Sequence, residues 1–258
     1  MSIELKSQAE IEILKEGGKR HAQILSDLSA LVKPGVSTFF LEQEARRMIE
    51  AMGDKSAFLG YKPRGARRPF PAALCVSINN EIVHGIPNEV ERLLNEGDLV
   101  SLDLGLVHEG LITDSAVTVS CGAVDDEARE LLRVGKEALQ RGIEAAQGGN
   151  YVGDIGAAID AVVSKSNFSS VTDLAGHGVG YKVHEEPFVP NVGKAGAGEK
   201  LVPGMVIAIE PMVNAGTPEI KLLKDGYTFV TRDGERSVHF EHTIAITEKG
   251  PIILTSND

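Results

Sequence analysis

The residues best able to do chemistry in this chain are carboxylates set in apolar surroundings. Residues 100–118 read VSLDLGLVHEGLITDSAVT, where Leu102, Leu104 and Leu106 alternate with Ser101, Asp103 and Gly105. That period of two belongs to a strand. His108-Glu109-Gly110 reads as a turn and residues 111–119 as the return strand. A turn centred on His108-Glu109 predicts Asp103 directly opposite Asp114, with Cβ atoms ~4.5–5.5 Å apart. Carboxylates so placed repel unless a proton or cation lies between them, and a divalent metal is the natural solution. The plainer alternative is two solvated aspartates on an exposed sheet face, the usual fate of charged residues.

Two glutamates have equally unusual settings. Glu210 ends the run MVIAI (205–209) and precedes Pro211, and Glu241 lies within SVHFEHTIAIT (237–247). Glutamate is unfavourable in such strands without a partner; an edge position or a salt bridge is the competing reading for each. In AGHGVGYKVHEEP (175–187), His177 sits between glycines, which let a backbone approach a ligand closely, and His184 follows seven residues later. Imidazole is both a common metal ligand and a proton carrier near neutral pH. His84 precedes a glycine in IVHGIP (82–87). His239 and His242 flank Glu241, but only His239 shares its strand face; neither is assigned a role.

These side chains need a scaffold. Ser7 with Glu10 forms a capping-box pattern, and Ile11, Leu14, His21, Ile24, Leu25, Leu28 and Leu31 follow at helical spacing until Pro34-Gly35. A second helix is expected from Ser37-Thr38 to Gly53, with two more over 125–146 and 152–166. Strand-like runs rich in Val, Ile and Leu lie between them and look hairpin-connected, which favours an α+β fold. Residues 61–71 (YKPRGARRPFP) read as an exposed basic loop. Chemically suggestive residues spread from His84 to Glu241, so 1–258 is read as a single domain.

Composition limits the function classes. The formal charge of −11 argues against non-specific nucleic-acid binding. Two cysteines without a CxxC exclude a disulfide framework or a sulfur-rich zinc module. The charged start MSIELKSQAE lacks the apolar core of a signal peptide, and no run approaches the ~20 apolar residues that span a bilayer. The expectation is a cytoplasmic monomer without membrane association.

Five segments together resemble the type I methionine aminopeptidases: SINNEIVHGIPN (77–88), SLDLGLVHEGLITDSAVT (101–118), GHGVGYKVHEEP (176–187), GMVIAIEPMV (204–213) and FEHTIAIT (240–247). Each is weak alone; five in the family's order and spacing, covering nearly the whole chain, are specific. The resemblance implies the pita-bread (creatinase/aminopeptidase) fold, a curved antiparallel sheet covered by helix pairs in pseudo-twofold halves. It implies a centre of two divalent ions (Co, Mn, Fe, Zn or Ni) held by Asp103, Asp114, His177, Glu210 and Glu241, with Asp114 and Glu241 bridging. It assigns catalytic and substrate-binding roles to His84 and His184, and makes Glu210 the proton shuttle as well as a ligand. Tyr61, Phe70, Cys75 and Tyr227 fall at or near the family's methionine pocket, and Phe58 and Val183 complete its wall; ordinary core packing is the alternative for Tyr61, Phe70 and Cys75.

The implied reaction is hydrolytic removal of the N-terminal methionine from nascent proteins and peptides, with a small second residue preferred and the ribosome exit region a candidate partner. Lys62 stands where many members have a histidine, and the 62–71 loop is longer than in the shortest bacterial members, which bears on the pocket rim. A prolidase or proline-specific aminopeptidase of the same fold shares the ligand types but usually carries an additional N-terminal domain. Type II enzymes carry a helical insert between the positions of Glu210 and Glu241. A metal-free binding module is the rival of another class, opposed by intact residues at all five ligand positions.

Overall fold

A computed structural model describes residues 3–257. The first half comprises α1 (Gln8–Leu31), α2 (Thr38–Ala51), β1 (Lys55–Ser56), β2 (Leu74–Ile78), β3 (Glu81–Val83), β4 (Leu99–His108) and β5 (Leu111–Ser120). The second half repeats the plan of a helix pair followed by strands. It begins with α3 (Asp126–Ala145), α4 (Val152–Val163), β6 (Ser169–Ser170), β7 (Ala175–Gly178) and β8 (Glu185–Pro190). It continues with β9 (Val206–Ile209), β10 (Met212–Asn214), β11 (Ile220–Leu222), β12 (Phe229–Thr231), β13 (Ser237–His239), β14 (His242–Thr247) and β15 (Gly250–Ile253).

The helices start where local chemistry starts them. The Ser7 side chain accepts from Glu10 N while Glu10 accepts from Ser7 N, which satisfies two otherwise orphaned donors of α1. Ser37 and Asp125 cap α2 and α3 in the simpler way. The fourth helix stops at Val163, short of the 152–166 expected, and its last carbonyls bond the following turn. Ile24, Leu28, Leu41 and Ile49 pack α1 and α2 onto Leu74, Val76, Leu102, Leu104 and Leu106 of the first half-sheet. Leu131, Val134, Ile155 and Ile159 pack α3 and α4 onto Ile207, Ile209, Ile244 and Ile246 of the second. Each fully buried aliphatic side chain stabilises by about 1.5–3 kcal/mol, so both half-sheets are held from their helical side. No helix is long and apolar enough to cross a membrane among the described residues.

All resolved strand pairs are antiparallel. One path runs β1-β4-β2 with β5 on β4, and another runs β15-β14-β9-β7-β8. The β4–β5 register differs from the sequence expectation. His108 pairs with Leu111, leaving Glu109-Gly110 as a two-residue turn at φ 47° and 85°. A tight hairpin needs positive φ at both central residues, and glycine takes the second at no steric cost. Asp103 therefore pairs with Ala116, and Asp114 with Gly105. The aspartates are not directly opposed; they are diagonal neighbours on one face, since the slip is two residues and preserves facing.

The halves join at β5. Ala116 and Glu241 exchange backbone hydrogen bonds. Thr243 Oγ1 accepts from Asp114 N and donates to Asp114 O, and Thr118 Oγ1 donates to His239 O. Strand-borne carboxylates from both halves are thereby brought to one seam.

Candidate metal centre

The residues given site roles by the family resemblance all line one cavity of about 420 Å³: Phe58, Tyr61, Phe70, Cys75, His84, Asp103, Asp114, His177, Val183, His184, Glu210, Tyr227 and Glu241. Asp103 comes from β4 and Asp114 from β5, His177 from β7, Glu210 directly follows β9, and Glu241 directly precedes β14. Ligand atoms of Asp114, His177 and Glu241 all lie within 4.8 Å of one another. His177 Nε2 is 3.4 Å from Glu210 Oε1 and 3.9 Å from Asp114 Oδ2.

The glycines beside His177 serve a different purpose from the one the sequence suggested. A Cβ at Gly176 would stand 2.3 Å from Ala208 O, and one at Gly178 would stand 2.1 Å from Glu186 O. They admit neighbouring strand backbones, and so hold β7 close enough to β9 and β8 to place the His177 ring beside Glu210.

The electrostatics are those of a site built for cations. Asp103, Asp114 and Glu241 are 6%, 3% and 2% exposed. Asp103 Oδ1 and Asp114 Oδ1 have no hydrogen-bond partner, a costly state for a buried carboxylate oxygen. Burial, opposed by His239, raises the Asp103 carboxyl from 3.8 to about 7. Burial, reinforced by the neighbouring carboxylates, pushes Asp114 and Glu241 well above their ordinary range. Glu210 goes the other way: burial alone would raise it, but the nearby imidazoles of His239, 3.5 Å away, and of His177 and His184 hold it below its ordinary value. Unpartnered, mutually repelling carboxylate oxygens with one imidazole fit hard divalent ions. The same surroundings leave the Cys75 thiol raised by burial and by Asp103, so it is a pocket wall and not a thiolate nucleophile.

The two remaining histidines flank the cluster. Burial and the neighbouring His177 lower His184 to about 3, so its imidazole is neutral at ordinary pH. Its Nδ1 lies 2.8 Å from the Tyr61 hydroxyl, and its ring centre 4.4 Å from that of His177. Burial lowers His84 to about 4 against the pull of Glu210. His84 has φ 60° directly after β3, a conformation that turns the chain from the strand at the cavity.

Phe58, Phe70, Cys75, Val183 and Tyr227 form a continuous buried apolar cluster along one wall. Phe70 meets Phe58 and Tyr227 edge to face at 6.4 and 5.1 Å between ring centres. Tyr227 ties this wall to the basic loop by donating to Arg68 O.

Sequence reasoning left His239 without a role, yet it stands at the centre of the site. Its Nε2 lies 3.5 Å from Glu210 Oε2 and 4.0 Å from Glu241 Oε2. The signal was its position two residues before Glu241, on the same strand face. Leu174, Met212, Leu222 and Phe229 also line the cavity and carried no such signal.

The model of metallopeptidase family M24 matches residues 12–248. A methionine aminopeptidase of Aquifex aeolicus is 50% identical over 259 residues, 99% of each chain. The crystal structure of a methionine aminopeptidase from Thermotoga maritima superposes with a TM-score of 0.94 at 40% identity, covering 99% of this chain and 100% of that one. An Xaa-Pro dipeptidase from Bacillus anthracis shares the fold alone, at 22% identity and a TM-score of 0.77 over 98% of this chain and 62% of its own. The pita-bread fold, the metallopeptidase family model and full-length relatives at this identity converge: the chain belongs to metallopeptidase family M24 and, within it, to the methionine aminopeptidases.

Proposed function

We propose that the chain removes the N-terminal methionine of nascent proteins and peptides at a centre of two divalent ions, acting as one catalytic domain. The observation that carries this reading is a set of buried carboxylates with unpartnered oxygens and raised pKa values beside an apolar wall. Asp103, Asp114, His177, Glu210 and Glu241 would hold the ions. When bound, the ions supply Lewis acidity and bring the pKa of a water to near neutrality. The oxygen-rich donor set suits Mn, Fe or Co at least as well as Zn.

The chain's own groups do the rest. Glu210, the carboxylate held in its ionised form, accepts the attacking water's proton and passes it to the leaving amine. Burial and the neighbouring Asp114 raise the Tyr61 phenol, so it stays protonated; its hydroxyl, 2.8 Å from His184 Nδ1, is assigned the donor role there. That bond leaves the proton of the neutral imidazole on Nε2, where it serves the substrate carbonyl oxygen as negative charge develops. His84 holds the peptide group beyond the first residue. The Phe58, Phe70, Cys75, Val183 and Tyr227 wall receives the soft methionine side chain, and a small second residue (Gly, Ala or Ser) is preferred.

Asp114→Ala and Glu241→Ala test the centre. Each is expected to lose bound metal and activity together, and wild-type turnover in either purified, metal-supplemented variant overturns the assignment. Cleavage of Met-Ala-Ser against an Ala-Pro dipeptide separates this function from the proline-specific alternative.

A further inference from the structure

The segment preceding α1 reaches the site through a buried ion pair. Lys6 N donates to Gly204 O, and its ammonium meets Glu185 Oε2 at 2.5 Å with side chains 1% and 8% exposed. The ammonium also donates to Glu4 O and lies 4.7 Å from the centre of the Tyr181 ring. A Cβ on Gly180 (φ 140°) would stand 2.4 Å from Lys6 Cε, and glycine leaves that space to the lysine stem.

Glu185 uses its second oxygen differently. Glu185 Oε1 accepts from Tyr181 N and Lys182 N at 2.6 and 2.8 Å, closing the turn that carries Val183 and His184. Tyr181 completes the link by donating to Glu10 Oε1, on the capping-box partner of Ser7 in α1. Both Val183 and His184 line the cavity. The hydrogen bond that His184 makes on the cavity side is the one to Tyr61.

We propose that Lys6 is a positioning residue for His184, acting through Glu185: the buried pair sets the turn over residues 181–185 and thereby the placement of the imidazole in the cavity. The proposal rests on the role given to His184 above. Without the ammonium, the Glu185 carboxylate is left buried and unpaired and must turn toward water, taking with it the acceptor of two turn amides. A displacement of about 1 Å at a catalytic group costs up to ~10²-fold in rate.

The test uses the full metal-loaded chain. Lys6→Met keeps the stem and removes the charge. It is expected to lower kcat by about 10- to 100-fold, to move KM far less, to keep its metal content, and to speed hydrogen exchange at the Tyr181 and Lys182 amides. In a His184→Ala background the same substitution is expected to leave kcat where His184→Ala put it. Lys6→Met with Glu185→Gln removes both charges and keeps an acceptor for the two amides. Its amide protection, thermal midpoint and kcat are expected to recover together, because a neutral acceptor stays over the two amides.

Wild-type kcat in Lys6→Met overturns the proposal. So does a kcat that stays low in the double variant once protection of the two amides is restored, or a full further loss in the His184→Ala background. If Lys6→Met does not fold, Glu185→Ala, which removes the acceptor of the two amides, takes its place under the same criteria. Wild-type kcat in His184→Ala would instead remove the role of His184. The Lys6 clamp is then judged on the two amides, and unchanged exchange in Lys6→Met overturns it.

Discussion

Asp103 offers a direct measure of how the site is built for cations. Its carboxyl is 6% exposed, has an unpartnered oxygen and is raised from 3.8 to about 7. With ions stripped by a chelator, a folded-state pKa above the unfolded one means that the protonated carboxyl stabilises the fold. Relative to the ionised group this amounts to about 4 kcal/mol, at 1.36 kcal/mol per unit. The contribution is fully present below pH 3.8 and is lost as pH rises through about 7. Between pH 5 and pH 8 the loss is about 2–3 kcal/mol. Other groups titrate in the same range, and the buried His21, His84, His184 and His242, all lowered, act with the opposite sign. Comparison with Asp103→Asn, which keeps the shape and removes the titration, cancels the histidine contributions to first order. Urea denaturation of both stripped proteins is expected to show the variant gaining about 2–3 kcal/mol on wild type from pH 5 to pH 8. A difference that stays flat, or moves toward wild type, refutes the raised carboxyl and with it the argument that these groups need a cation when ionised.

Three further outcomes follow from the same site. His184→Ala is expected to keep its ions and lose about 10²–10³ in kcat, roughly 2.7–4 kcal/mol, with KM changed much less; a variant lacking an ion would make His184 a ligand, and an unchanged kcat would make it structural. Tyr61→Phe, which removes one hydroxyl and keeps the ring, is expected to cost about tenfold in kcat, the scale of one hydrogen bond. A double-mutant cycle checks its route, because no further loss is expected once His184 is alanine. Met-Ala peptides are expected to be cleaved well ahead of Met-Lys peptides in steady-state assays, and equal rates would contradict a restricted second-residue site.

What the sequence determined by itself lies within a few residues of each signal. The Ser7–Glu10 box starts α1 because both capping bonds are local. The alternation around Asp103 predicts a strand, and the structure has β4 there, with its aliphatic side chains on the core side. Family motifs singled out the residues that line the cavity. Register was less legible. The position of one turn decides which residues face each other, and Glu109-Gly110 wins over His108-Glu109 because glycine accepts positive φ freely.

The tertiary structure alone decided which strands meet. Ser115 donates to Glu241 O across 126 residues, and Thr243 bonds Asp114 across 129. No periodicity encodes those partners, because they follow from packing two separate helix pairs against two half-sheets. The same assembly brought His239 between Glu210 and Glu241 and Lys6 beneath the His184 turn. Residue chemistry and local backbone preference act over a turn or a strand. The burial that raises a carboxyl or unites distant side chains exists only once the whole chain has excluded water from the seam.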